Sequence, residues 1–69
     1  MITERIMEEL WQSGLDVELV DEGANQFTIM DTDPEYLGHD MIRDIVDDFG
    51  GSIIDEYEEY AVYYFVVRI

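Results

Sequence analysis

Ala61-Val62-Tyr63-Tyr64-Phe65-Val66-Val67-Arg68-Ile69 closes the chain as an almost unbroken run of β-branched and aromatic side chains in a sequence otherwise crowded with carboxylates. That composition suits a strand covered on both faces, so the run reads as a central strand around which the other elements are arranged. Alternation sends Ala61, Tyr63, Phe65, Val67 and Ile69 to one side and Val62, Tyr64, Val66 and Arg68 to the other. Both sets are largely apolar.

Its nearest neighbour in sequence is Ile53-Ile54-Asp55-Glu56-Tyr57, which forms a hairpin with it through a tight turn near Glu58-Glu59, the closing strand then running from about Tyr60 to Arg68. Ahead of that hairpin the spacing predicts a helix from about Pro34 to about Phe49, with Asp33 as its cap and Gly50-Gly51 as its stop. Leu37, Met41, Ile42, Ile45 and Phe49 make the inward stripe, and Asp40, Asp44, Asp47 and Asp48 share the other side. Further back, Leu15 to Leu19 and Gln26 to Met30 alternate on either side of the turn residues Asp21 to Asn25. They form a first hairpin with Leu15, Val17, Leu19, Phe27 and Ile29 inward. The chain opens with an amphipathic helix whose apolar residues are Ile2, Ile6, Met7, Leu10 and Trp11, ended by Ser13-Gly14.

The order α-β-β-α-β-β makes the second and third strands parallel, because a helix connects them, and a right-handed crossover leaves room for one strand between them. The closing strand fills that gap. The expected fold is therefore a single α+β domain over residues 1–69: a four-stranded antiparallel sheet in the order 3-4-2-1 with two helices on one face, a circularly permuted ferredoxin-like arrangement.

Sixty-nine residues carry eighteen Asp and Glu against three Arg and no Lys, a formal net charge of −15. Acidic tails reach such values while disordered, but 48% hydrophobic residues and nine aromatics describe a folded polyanion. Self-repulsion on this scale opposes compaction and is kept for solubility or for meeting a cationic partner. Such a chain is not expected to bind nucleic acid or an anionic membrane unaided. It has no cysteine and no apolar run near the ~20 residues of a spanning helix, so it is expected to be cytoplasmic.

Little of the chemistry-bearing inventory points to catalysis. Asp31-Thr32-Asp33-Pro34-Glu35 starts like a calcium loop, but Tyr36 stands where the loop needs glycine and Ile42 where it needs the closing glutamate, so helix capping is its reading. His39, the only histidine, has Glu35 one turn before it and Asp40 beside it, which favours its charged form and marks it as a surface histidine. With eighteen carboxylates in so small a domain, proximity of two is guaranteed by number, and there is no room for a substrate cleft. No enzyme activity, cofactor or metal is expected. Arg5 beside Glu8 and Glu9, and Arg43 beside Asp40 and Asp47, read as local charge relief. Trp11, Tyr57, Tyr60, Tyr63 and Tyr64 are core and sheet residues first. One or two could serve as anchors for Arg or Lys.

The sharper expectation concerns Asp40, Asp44, Asp47 and Asp48. Aspartate is a poor helix former, like charges at i, i+4 repel, and acidic residues in a last turn oppose the helix dipole. With Asp55, Glu56, Glu58 and Glu59 from the adjacent hairpin they would form a two-row anionic surface of a density comparable to DNA phosphates. A protein presenting it could occupy the nucleic-acid groove of a basic, nucleic-acid-binding partner. Salt adaptation is a second reading, which eight isoleucines and only two alanines fit poorly. An acidic antitoxin or immunity-like inhibitor that blocks a basic protein without mimicry is a third. A homodimer through Val62, Tyr64 and Val66 is compatible with any of these.

In size, charge and lack of motifs the chain resembles, as a class, the small virus-encoded DNA-mimic proteins that inhibit host defence or repair enzymes, such as uracil-DNA glycosylase inhibitors, anti-restriction proteins and some anti-CRISPR proteins. The resemblance lies in composition, not in aligned residues. It implies an inhibitor acting in a host cytoplasm.

Overall fold

The computed structural model describes residues 2–33 and 37–69. Its elements follow the order α1 (Ile2–Gln12), β1 (Val17–Gly23), β2 (Gln26–Asp31), α2 (His39–Asp48), β3 (Ser52–Glu59) and β4 (Val62–Arg68). The strands form one antiparallel sheet in the order β1-β2-β4-β3, with β4 paired to both β2 and β3. This is the expected arrangement read from its other edge. The radius of gyration is 10.8 Å, close to the ~11 Å of a compact chain of this length.

One face of the sheet carries both helices and the core. Ile6 and Leu10 of α1 and Ile42, Ile45 and Val46 of α2 close over Val17, Phe27, Ile29, Phe65 and Val67 of the strands. Both helices stop in the same way: Leu15 N–H reaches back to Leu10 O and Gly14 N–H to Trp11 O, while Gly51 N–H reaches Val46 O and Gly50 N–H reaches Asp47 O. That is the Schellman pattern. It needs the positive φ that Gly14 (83°) and Gly50 (79°) supply.

Several boundaries differ from the sequence reading. The second helix begins at His39 behind Gly38, not at Pro34. Gly38 is buried under Leu15, whose Cδ2 would lie 2.3 Å from an added Cβ. Leu15 thus serves as a plug over the start of α2 and not as the first residue of β1. The expectations placed on Pro34, on Glu35 and on the side chain of Ile2 lie outside the described residues. Leu37 and Met41 are 77% and 43% exposed, and the inward face of α2 is instead His39, Ile42, Ile45 and Val46. Trp11 is also largely exposed, its ring lying at the margin where Nε1 donates to Val17 O.

Both hairpins turn through two residues at positive φ, Ala24-Asn25 (51° and 63°) and Tyr60-Ala61 (52° and 64°). That is the sign of a type I′ turn, whose twist matches the strands. The second turn therefore lies two residues beyond Glu58-Glu59. Only one of these four residues, Asn25, is a type that accepts such a backbone readily. Ala61→Gly is accordingly expected to stabilise the domain by about 0.5–1 kcal/mol, as relief of left-handed strain outweighs the added chain entropy. Urea denaturation would show the midpoint rising at unchanged slope. An unchanged midpoint would mean that the turn holds no such strain.

Candidate functional site

The placement of the acidic residues is decided by a bulge in β3. Ile53 pairs with Val67, but the next pair is Asp55 with Val66, so Ile54 is an extra residue. Beyond it the alternation is inverted: Glu56 lies opposite core Phe65 and Glu58 opposite Tyr63, on the helix side, while Asp55, Tyr57 and Glu59 lie opposite Val66, Tyr64 and Val62 on the open side. The expected two-row surface is thus divided by the sheet. Asp55 and Glu59 face away from α2.

Asp40, Asp44, Asp47 and Asp48 do share the outward side of α2, and all four are exposed. They span about 12 Å of helix axis, one charge per ~4 Å against one phosphate per ~3.4 Å of a DNA strand. The last turn of α2 contains no basic residue, so Asp47 and Asp48 stand against the negative end of the dipole. Asp40 is partly compensated, since Arg43 Nη1 donates to its Oδ1 at 3.0 Å.

Glu56 belongs to a different arrangement. Arg43 grips it with two hydrogen bonds, Nη2 to Oε1 at 2.7 Å and Nε to Oε2 at 3.1 Å, and the Tyr63 hydroxyl donates to Oε1 at 2.9 Å. Arg43 also lies over the Phe65 ring, 5.7 Å from its centroid. The main partner of Arg43 is therefore Glu56 across the α2–β3 groove, not Asp47. The Arg43 bond, with that of Tyr63 and against the opposing effect of burial, holds the Glu56 carboxyl below its ordinary value of 4.5. The Glu56 bond in turn pushes the Tyr63 phenol up, and the guanidinium is held charged more firmly than usual.

Because the folded-state value of Glu56 is depressed, its pairing contributes stability that is present above the unfolded value and lost as pH falls through the folded one. Glu56→Gln is expected to cost about 1–2 kcal/mol near pH 7, the charge-assisted bonds being discounted for the partial exposure of Arg43. The gap to the parent protein should close as pH drops below 4.5. Paired urea curves at neutral and acid pH test this. A pH-independent gap would deny the linkage.

His39, expected at the surface, is buried, 8% exposed, and its close carboxylate is Asp31 of β2 rather than Asp40. Nε2 lies 3.3 Å from Asp31 Oδ2, a charge-range approach that is not aligned as a hydrogen bond. The ring packs on Tyr63 and edge-on to Phe65 at centroid distances of 4.3 and 5.0 Å. The other carboxylate oxygen of Asp31 accepts the Asp33 N–H at 2.9 Å. Asp33 does not cap α2 as expected, because the N-cap is Gly38 with no side-chain hydrogen bond; its Oδ2 accepts the Leu37 N–H instead, and Asp31 joins the end of β2 to the start of α2. Set in the core, His39 and Asp31 are not offered to a solute. Among the described residues no cluster of His, Asp and Glu is placed to hold a metal ion, and no helix is long and apolar enough to cross a membrane.

On the open face of the sheet the sequence marks only Val62, Tyr64 and Val66. It is broader than that: Met30 and Thr28 of β2 lie beside Tyr64 and Val66, and Tyr57 stacks on Tyr64 with centroids 4.7 Å apart and planes inclined by 12°. Glu18, Met30, Tyr64 and Tyr57 form one cross-strand row. A hollow of about 230 Å³ between Asp16, Glu18, Met30, Thr32, Val62 and Tyr64 marks one end of the face. Comparison with protein-family models, curated proteins and solved structures yields no match.

Proposed function

We propose that this is a binding protein whose outward aspartates on α2 occupy the nucleic-acid site of a basic partner, as a DNA- or RNA-mimic inhibitor of the anti-defence or anti-repair type. The observation that carries the reading is the row Asp40, Asp44, Asp47 and Asp48: four exposed carboxylates at near-phosphate spacing, kept against helix propensity and, at Asp47 and Asp48, against the dipole. A surface retained at a cost to stability calls for a use outside the fold. In the complex these carboxylates replace phosphates in contacts to Arg and Lys, giving fast and salt-sensitive association. The open-face carboxylates Asp55 and Glu59 and the Arg43-bound Glu56 lie outside this row.

The test is capture from a lysate with tagged protein, repeated with added duplex DNA or RNA and at rising salt. A retained nucleic-acid-binding protein that the added nucleic acid releases supports mimicry and identifies the partner. A retained basic protein that nucleic acid does not displace makes the chain an antitoxin or immunity-like inhibitor instead. Folding that requires molar salt, with nothing retained, assigns the acidity to brine adaptation.

A further inference from the structure

The charge pattern of the open sheet face is independent of α2 and more specific. Its centre is apolar: Met30, Val62, Tyr64 and Val66 on the two inner strands, extended by Val20 on β1 and Tyr57 on β3. Carboxylates stand on both edges, Glu18 and Glu22 along β1 and Asp55 and Glu59 along β3. Glu22 is drawn onto this face by the Thr28 hydroxyl, which donates to it. Burial against its neighbours, then Tyr64 and the carboxylates of Glu59, Glu22 and Asp55, push the Tyr57 phenol up, so these groups share one field. The one cation on the face among the described residues, Arg68, lies at one end, 3.4 Å from Gln26.

The width of this pattern selects an occupant. The edge strands are about 14 Å apart, three inter-strand spacings, and an α-helix with its side chains is about 10–12 Å across. We infer that the open face docks an amphipathic helix of the partner, its apolar stripe on Met30, Tyr64 and Val66 and its arginines or lysines reaching the carboxylates on both edges. Arginine has the further option of lying over the stacked Tyr57–Tyr64 pair. A second copy of this chain is a poor occupant, because it would bring two chains of net charge −15 together, carboxylate edge to carboxylate edge. An anionic membrane surface is disfavoured by the same sign of charge. The helix is a second contact of the basic partner proposed above and rests on that reading for its charge. It differs in requiring apolar contact as well.

The experiment is a titration of isotope-labelled protein with synthetic helical peptides, followed by backbone amide shifts at near-physiological salt. The probe peptide has leucine on one face and arginine on the other. One control replaces the leucines by serine, and another the arginines by glutamate. The expected result is a saturable shift at Met30, Tyr64 and Val66 with the probe alone. Binding should weaken about tenfold in Glu18→Gln/Asp55→Asn/Glu59→Gln, and by a similar factor in Tyr57→Ser, with the undisturbed spectrum of each free variant reporting that it folds. Shifts confined to α2, or equal binding of the serine control, overturn the sheet-face assignment while leaving the aspartate reading to the capture assay. No binding of the probe overturns it as well. Self-association through this face, seen by sedimentation, replaces the partner helix by a second copy and also overturns it.

Discussion

Asp31→Ala is expected to destabilise the domain by about 1–3 kcal/mol. Asp31 is 4% exposed and holds two things at once: the Asp33 N–H, through one oxygen, and a close approach to His39 Nε2 through the other. Alanine would remove the acceptor of the Asp33 N–H and the carboxylate beside the His39 ring. Losing the acceptor of a buried hydrogen bond costs roughly 1–3 kcal/mol. A core of this size rarely supplies more than about 3–5 kcal/mol in total, so a loss in that range consumes a large share of the stability. Asp31→Asn, which keeps an acceptor for the Asp33 N–H, should fold and lose less. Amide-shift dispersion and urea curves of the two variants, with His39→Gln and the double variant to close the cycle, measure the coupling. An Asp31→Ala protein as stable as its parent would mean that the pair contributes nothing to the fold.

This pair also shows where sequence reasoning stops. The central position of β4 could be read directly from Ala61 to Ile69, because a strand flanked on both sides has to be apolar on both faces, and the crossover rule then left one place for it. Gly14 and Gly50 announced their helix ends because a positive φ at C′ excludes most other residues. His39 gave no such signal. Hydropathy counts it as polar, and the apolar pattern runs through Leu37 and Met41 instead. The spacing His39, Ile42, Val46, Phe49 is also a helical face, and the partner Asp31, eight residues earlier on β2, explains why a histidine can close it.

The bulge at Ile54 is the second case, with a larger functional consequence. Ile53-Ile54-Asp55-Glu56-Tyr57 reads as alternation with or without an extra residue, since a one-residue slip exchanges the faces without changing the composition. In the protein the slip brings Glu56 to Arg43 and Tyr57 to Tyr64. One local irregularity thus removes Glu56 from the acidic surface, neutralises part of the α2–β3 groove and completes the aromatic pair on the open face. The aspartates of α2 were legible because helical spacing alone places Asp40, Asp44, Asp47 and Asp48 together, whatever the helix packs against.

Those aspartates carry the other large expected effect. Asp44→Asn combined with Asp47→Asn is predicted to weaken partner binding by at least about tenfold, and by more at low salt, where screening is weakest. The same change should raise stability by about 0.5–1 kcal/mol, because it removes like-charge neighbours at i, i+3 and i+4 and one carboxylate from the negative end of the helix. The two residues are chosen so that Asp40, and with it the Arg43–Glu56 clasp, stays intact. Net charge alone would also change the association rate, so the comparison is Glu4→Gln with Glu9→Gln. That pair removes two exposed carboxylates of α1 and alters the total charge equally. Stability rising while affinity falls only in the α2 variant would identify a surface kept for binding against the interest of folding. Equal losses in both variants would reduce the role of α2 to a share of the total field. Unchanged affinity in both would remove the α2 aspartates from recognition, leaving the open sheet face as the surface to pursue.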